Sequence, residues 1–291
     1  MSSRIRVRTR VSVLAFCFAS VAAWAIVAEA DRPVTKPTID PNAELIDLFD
    51  GMAEGALDVK MIPKDALQGN VFIKNTTDKP LTVQLPEACV GLHVLKQFGS
   101  GGGFGSGQGG IGGGGAGGRG GGAQATGGGF GGGGMGGGGG FGGGGGIYSI
   151  PAEKVAKIPY QSVCLEHGKP DPRSKFQYLP VPVAEYTSDP VLQQLITRVG
   201  TTDGVDLGAA QAAAWNLNSQ MSWEELAAKQ YTYVGGAGAR PYFSPAQLYG
   251  AQTLVAQAAS AAREEAEAAK EDASEERPVR TRSRRTNLLE E

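Results

Sequence analysis

The chain is poor in the side chains that most enzymes use for proton transfer and metal binding. It has two histidines and three cysteines, and aromatic residues make up 7% of it. We find no serine–histidine–acid arrangement, no phosphate-binding loop and no distinctive pair of carboxylates. The sequence therefore favours a non-enzymatic protein, and a hydrolase whose site is not readable from sequence is kept as an alternative.

Long apolar runs are confined to the amino terminus. Four arginines in residues 4–10 precede an apolar run from Val11 to Val27, and Ala28-Glu29-Ala30 follows. The order of basic, apolar and small residues is typical of a cleavable signal peptide. We therefore expect residues 1–30 to direct export to the periplasm or beyond. An uncleaved anchor is the alternative, and no later run is long enough to span a membrane.

Neither sign of charge dominates the chain. Without residues 1–30 it has 23 basic and 28 acidic residues, a net charge of −5. A weakly acidic protein is poorly suited to neutralising phosphates, so no nucleic-acid partner is expected. Five arginines in residues 277–285 form a basic cluster within a tail that we expect to be disordered. Such a cluster could dock on an anionic envelope polymer or lipid.

Glycine, by contrast, is abundant and concentrated in one place. Residues 99–146 hold 34 of the 46 glycines. Glycine has no side chain to bury and loses the most entropy on ordering, so we expect a disordered insert that adds nothing to the core. An adhesive role for its spaced apolar residues is the alternative. These include Phe104, Ile111, Phe130 and Phe141.

Strand patterns lie on both sides of the glycine tract. NVFIKN and PLTVQLP, beginning at Asn70 and Pro80, predict a hairpin, and CVGLHVLKQF from Cys89 predicts a third strand. IYSIP and KVAKIPYQSVCLEH follow the tract, so one β-sandwich-like domain interrupted by an insertion is expected. Residues Glu44–Phe49 have the apolar spacing of a short helix.

The carboxyl-terminal third has helical patterns and clear start signals. Asp189-Pro190 begins one helix, a second covers about residues 207–217, and Ser222 with Glu225 forms a capping box for a third. A long alanine-rich helix follows Ser244. The expected fold is α+β. Its segments are a signal peptide (1–30), the β domain (31–98 and 147–188) around the insert (99–146), a helical unit (189–243), the long helix (244–276) and the charged tail (277–291).

Two Cys–His pairs flank the glycine tract and are the candidate site residues. They are Cys89 with His93 and Cys164 with His167. An oxidising compartment favours a Cys89–Cys164 disulfide that ties the two halves of the β domain together. A zinc site built from all four residues is an alternative. Two unpaired thiols with surface histidines are the third possibility. No catalytic residue and no other cofactor is expected.

The overall plan resembles a group of bacterial exported proteins that have a glycine-rich insertion and no known activity. The resemblance covers about residues 70–230 and is carried by NTTDKPLTVQLP, VCLEHGKPDP, QAAAW and MSW, which begin at Asn75, Val163, Gln211 and Met221. It implies no functional residue. The sequence as a whole predicts a structural or interaction protein of the envelope, or a secreted one. Its contacts with polymers or other proteins would use the glycine tract and the arginine-rich tail.

Overall fold

The computed structural model describes residues 32–36, 38–95, 122–130, 146–231 and 238–275. The predicted signal peptide and the arginine-rich tail lie outside the described residues. So do residues 96–121 and 131–145, which include most of the glycine tract.

The described strands and helices alternate irregularly along the chain. The strands are β1 (Glu44–Asp47), β2 (Leu57–Pro63), β3 (Gln68–Asn75), β4 (Leu81–Gln84), β5 (Cys89–His93), β6 (Thr126–Phe130), β7 (Ile147–Ile150), β8 (Val155–Cys164), β9 (Tyr178–Val181), β10 (Gln230–Tyr231) and β11 (Arg240–Pro241). The helices are α1 (Leu48–Ala53), α2 (Val183–Tyr186), α3 (Pro190–Thr201), α4 (Leu207–Ser219), α5 (Trp223–Ala228) and α6 (Pro245–Glu275).

Six strands form one closed antiparallel barrel in the order β2-β3-β8-β6-β5-β9. The barrel closes because β9 pairs with β5 on one side and, through Tyr178 and Met61, with β2 on the other. The protein is thus a mixed α and β structure with a long carboxyl-terminal helix, as predicted. The expected sandwich is wrong, because one sheet curls onto itself and leaves no unpaired edge.

The barrel interior is an apolar core formed by alternate residues of its strands. On β2, Leu57, Val59 and Met61 are buried while Asp58 and Lys60 are exposed, so one face of the strand points inward. The same core takes in Val71, Ile73, Cys89, Phe130, Ile158, Tyr160 and Tyr178. Burial of each Ile, Leu, Val or Phe side chain contributes about 1.5–3 kcal/mol to stability.

The predicted hairpin is not formed, because β3 and β4 belong to different sheets. β3 pairs with β2 and β8, whereas β4 lies between β1 and β7 in a separate three-stranded sheet. Asn75 turns the chain between the two sheets. Its fully buried Nδ2 donates to the carbonyls of Lys79 (2.7 Å) and Ile150 (3.0 Å), and its Oδ1 accepts from the Thr77 N–H (2.9 Å).

A second core joins the barrel to the helices. α3 and α4 pack on the outside of the barrel against Val90, Val163 and Leu165, and α6 packs in turn on α3 and α4. Residues 209–214 of α4 are all buried, and five of these six are alanines, so α6 can lie close to α4. The helical segments and the barrel therefore share one apolar interface.

The helix start signals are confirmed where the structure describes them. Asp189 caps α3 by accepting from the Val191 N–H (2.9 Å), and Ser222 forms a capping box with Glu225 on α5. The short helix expected at Glu44–Phe49 is wrong for its first four residues. Residues 44–47 are β1, and α1 begins only after the Asp47 cap, which accepts from the Phe49 N–H (2.7 Å).

The long helix α6 is docked at its start and exposed at its end. Ala251, Ala258 and Ala262 are buried, whereas residues 263–271 are exposed. The exposed end of α6 contains the charged residues of this helix, as expected. None of the helices in the described ranges is both long and apolar enough to cross a membrane.

Candidate functional site

Strand β6 comes from within the glycine tract and is the most unusual element of the barrel. All five of its residues are buried, and Phe130 belongs to the barrel core with 4% exposure. β6 pairs with β5 on one side and with β8 on the other. The prediction that residues 99–146 form a disordered insert outside the core is therefore wrong for residues 122–130.

Three consecutive glycines of β6 are needed because other atoms lie close against them, a side chain at Gly127 and backbone at Gly128 and Gly129. A Cβ on Gly127 would lie 2.9 Å from Ile196 of α3, and one on Gly128 would lie 2.7 Å from the Cα of Ser162. A Cβ on Gly129 would lie 2.5 Å from the carbonyl oxygen of Glu87. These separations leave no room for a side chain. Glycine therefore lets helix α3 pack directly on the strand.

The residues that lead into β6 are held by residues 166–171, which we name the anchor loop. Glu166 accepts from the Ala125 N–H (3.0 Å), and Asp171 accepts from the Gln124 side chain (2.8 Å). The Pro170 carbonyl accepts from the Gln124 N–H (2.9 Å). These hydrogen bonds hold Ala125 and Gln124, which are 3% and 2% exposed, against the more exposed anchor loop. The start of the strand is thereby fixed.

The fixed strand separates two glycine-rich segments of the sequence. The described chain stops at Leu95 and resumes at Gly122 at one end of the barrel, and it stops again at Phe130 at the other end. Five residues of strand span about 17 Å. Residues 96–121 and 131–145 are therefore attached at opposite ends of one barrel strand.

The predicted disulfide between Cys89 and Cys164 is not formed. Both thiols are free and buried. Cys89 pairs with Gly128 and Cys164 with Thr126, so β6 lies between the two cysteine strands. Two strand spacings are about 9–10 Å, whereas the Cα atoms of a disulfide lie about 4.4–6.8 Å apart. Burial raises the pKa of each thiol to about 12.

The structure does not bring the two Cys–His pairs together for zinc. His93 Nδ1 accepts from the Ala123 N–H (3.0 Å), while Nε2 of His167 lies 2.8 Å from Nζ of Lys229. Each imidazole thus has a different partner, and the Cys164 thiol donates to the Ala66 carbonyl at 3.6 Å. Within the part of the chain that the structure describes, no three His, Cys, Asp or Glu side chains could hold a metal ion.

His93 lines an open depression at the end of the barrel, which we name the mouth groove. It has a volume of about 210 Å³ and is lined by His93, Val94, Leu95, Lys175, Phe176 and Gln177. The His93 ring packs on Phe176 and Tyr178, with centroids 4.6 and 5.4 Å away, and burial lowers the pKa of His93. Because Nδ1 accepts a hydrogen bond, the neutral ring carries its proton on Nε2.

The mouth groove offers contact chemistry: an imidazole donor, the Lys175 ammonium and apolar surface. Lys175 lies 5.2 Å from the centroid of Phe176, and the Leu95 side chain is 56% exposed. Leu95 is also the last described residue before the first glycine-rich segment, and Gly122, where that segment ends, lies beside His93. The groove and both ends of this segment therefore share one surface.

A second cluster surrounds Lys229, after α5. Its Nζ lies 5.2 Å from the ring centroid of Trp215 and 5.0 Å from that of Tyr242. His167 packs edge-on against Trp215 with centroids 4.7 Å apart, and the Tyr231 and Tyr242 rings stack at 4.2 Å. Sequence reasoning missed this cluster, because its members are spread over some seventy-five residues and no local pattern connects them.

Comparisons with protein families, with curated proteins and with solved structures found no match to this chain. The resemblance to exported bacterial proteins therefore stays a prediction.

Proposed function

We propose that this is an exported, non-enzymatic interaction protein whose barrel presents glycine-rich segments to a partner in the cell envelope. The observation that carries the proposal is the burial of β6 in the barrel wall. A spacer alone would not need three glycines packed closely against α3 and β8, nor an anchor loop whose hydrogen bonds hold the start of the strand. Such close packing and hydrogen bonding are explained if the function requires the flanking glycine-rich segments to be held at fixed positions.

The composition of these segments suits contact with a partner. The first contains Phe104, Ile111 and Arg119, and the second contains Met135 and Phe141, among glycines. The exposed Leu95, together with Phe176 and Lys175 of the mouth groove, extends this surface onto the barrel. Isolated apolar and cationic groups in a glycine background favour binding over chemistry, because no acid–base pair accompanies them.

The arginine cluster of the tail favours an anionic envelope polymer as the partner. The charged, exposed end of α6 leads directly into the arginine cluster at residues 277–285. Each arginine near an anionic surface contributes about 1 kcal/mol of attraction, and salt screens this contribution. The cluster would supply attraction to the polymer, and the glycine-rich segments would supply short-range contacts.

The test is co-sedimentation of the purified protein with insoluble peptidoglycan sacculi, which carry carboxylates. One variant replaces the five arginines of residues 277–285 by Gln, and its matched control replaces them by Lys, which retains the charge. We expect the Gln variant to bind at least about tenfold more weakly and the Lys control to bind nearly as the parent does. Equal sedimentation of the parent and the Gln variant, or no sedimentation of the parent, would overturn the choice of partner.

A second variant tests the glycine-rich segment separately. A Cβ built on Gly122 would lie 3.8 Å from Cδ2 of Leu95, so the ends of residues 96–121 are adjacent. Residues 97–120 can therefore be replaced by a linker of about four residues, a typical tight connection. We expect an unchanged melting temperature and weaker binding to sacculi. Retention of full binding would contradict a contact role for this segment.

Export is tested by the intact mass of protein recovered from the periplasm or medium of the native host. The mass of a chain that begins at Asp31 is expected if residues 1–30 are removed as predicted. Recovery of the full-length chain in the membrane fraction would instead indicate an uncleaved anchor.

A further inference from the structure

The contact between His167 and Lys229 joins two parts of the molecule that are distant in sequence. His167 lies in the anchor loop, and its backbone N–H donates to Ser219 Oγ of α4 (2.9 Å). Lys229 lies between α5 and β10, and its carbonyl accepts from the Tyr242 N–H (2.8 Å), next to β11. The side-chain contact at 2.8 Å is therefore a direct link between the anchor loop and the β10–β11 hairpin.

The chemistry of this link fixes the charge of His167. A lysine ammonium has three donors and no acceptor, so Nε2 of His167 must accept the hydrogen bond. The ring is then neutral, with its proton on Nδ1. A proton added to Nε2 would remove the acceptor and would place two cations within hydrogen-bond distance of each other.

We propose that the His167–Lys229 contact is an acid-sensitive latch that frees Lys229 from the anchor loop when His167 is protonated. The proposal goes beyond the interaction function and does not depend on it. Release would uncover the face of Trp215, which is 3% exposed beneath His167, Lys229 and Tyr242. Mild acid would thus expose aromatic surface on this side of the protein.

The charged groups around His167 decide where the latch opens. Burial and the Lys229 ammonium lower the pKa of His167, whereas Asp171 of the anchor loop and Glu225 of α5 raise it. Glu166 and Lys169 of the same loop form a salt bridge with each other. Tyr242 and Trp215 present rings to Lys229 and carry no charge at neutral pH. Because burial and the Lys229 ammonium outweigh the two carboxylates, the pKa of His167 is lowered. The latch therefore opens below the ordinary histidine pKa of about 6.5.

The chain is well suited to a direct test, because it has two histidines in all. NMR of the purified protein with ¹³C-labelled histidine gives one ring signal for His93 and one for His167. We expect His167 to titrate below pH 6.5 and to shift upward in Lys229→Met, which keeps the apolar stem over the rings but removes the ammonium. The His93 titration serves as the internal reference. A His167 pKa at or above 6.5, or one that Lys229→Met leaves unchanged, would overturn the latch.

Opening itself is measured by acrylamide quenching of Trp215 fluorescence, in a Trp223→Phe variant of the chain without residues 1–30. Between pH 7.5 and pH 5 we expect stronger quenching, because opening uncovers the Trp215 ring. The matched control is His167→Gln, whose amide oxygen accepts from Lys229 at every pH. Quenching of Trp215 in this variant should be independent of pH. An equal pH effect in the parent and in His167→Gln would overturn the proposal.

Discussion

Gly129 of the barrel and Gly200 of helix α3 lie with their backbones in contact. A Cβ on Gly200 would lie 2.9 Å from the Cα of Gly129, and one on Gly129 would lie 2.5 Å from the carbonyl oxygen of Glu87. The strand and the helix therefore meet without side chains between them. Much of what is specific to this fold depends on that contact.

Replacement of either glycine by alanine should destabilise the protein. Gly200→Ala and Gly129→Ala each force backbone apart, and overpacking of this kind costs about 1–3 kcal/mol. The measurement is urea unfolding followed by circular dichroism. Gly122→Ala is the matched control, because its Cβ would meet no atom closer than 3.4 Å, and a change within about 0.5 kcal/mol is expected. Equal effects at Gly122 and Gly129 would contradict the close packing.

The Gln211 side chain should be one of the most costly polar groups to remove. It lies on α4 with 4% exposure and pairs with both backbone groups of Cys164, accepting from its N–H (2.8 Å) and donating to its carbonyl (2.7 Å). Gln211→Leu leaves a buried donor and a buried acceptor without partners, at about 1–3 kcal/mol each.

The control for Gln211 is Gln194→Leu. Gln194 lies on α3 and makes an exposed hydrogen bond to Glu265, so a loss below about 0.5 kcal/mol is expected. Thermal melts of both variants provide the comparison. Similar melting temperatures for the two would show that the Gln211 contacts with Cys164 do not matter.

The two cysteines should resist alkylation in the folded protein. Cys89 and Cys164 are 2% and 1% exposed, and burial keeps their thiols protonated at neutral pH. For the chain without residues 1–30, which contain Cys17, mass spectrometry after iodoacetamide treatment should show no adduct under native conditions and two adducts in denaturant without reductant. Adducts that form only after reductant is added would instead show that Cys89 and Cys164 are joined by a disulfide.

Stability should fall as the pH drops through the histidine range. Burial lowers the pKa of His93 in the folded protein, so the unfolded chain takes up its proton first, from about pH 6.5 downward. The free energy of unfolding is therefore constant above this range and decreases below it. Urea titrations at pH 7.5 and pH 5 measure the change. His93→Asn, whose Oδ1 can accept from the Ala123 N–H, should reduce the difference between the two pH values.

Local sequence signals predicted the helices and most of the strands, because caps and alternation act over a few residues. Asp189, Ser222 and the residues around Val71 behave as their patterns indicate. Barrel closure was not predictable, because it depends on pairing between β9 and β2, more than a hundred residues apart. The hairpin prediction was wrong for the same reason, because distant contacts decide the pairing. Asn75, at the end of β3, donates to the carbonyl of Ile150, which belongs to the other sheet.

The barrel strand in the glycine tract gave one weak signal. Ala123-Gln124-Ala125-Thr126 interrupts the glycine run, and these four residues are the ones that meet the anchor loop and enter the barrel. Composition alone could not separate them from their neighbours. The two Cys–His pairs do not form a common site, because β6 lies between β5, which carries Cys89, and β8, which carries Cys164.

The position of β6 also determines how the chain must fold. β5 and β8 do not pair with each other, so the barrel wall has a gap until the glycine strand enters it. Entry requires long loops to close on both sides, and a strand rich in glycine has little local preference to guide its register. We therefore expect barrel closure to be late and slow, as in other folds dominated by distant contacts. Before that step the chain has two open strand edges, which makes its intermediates prone to pair with one another.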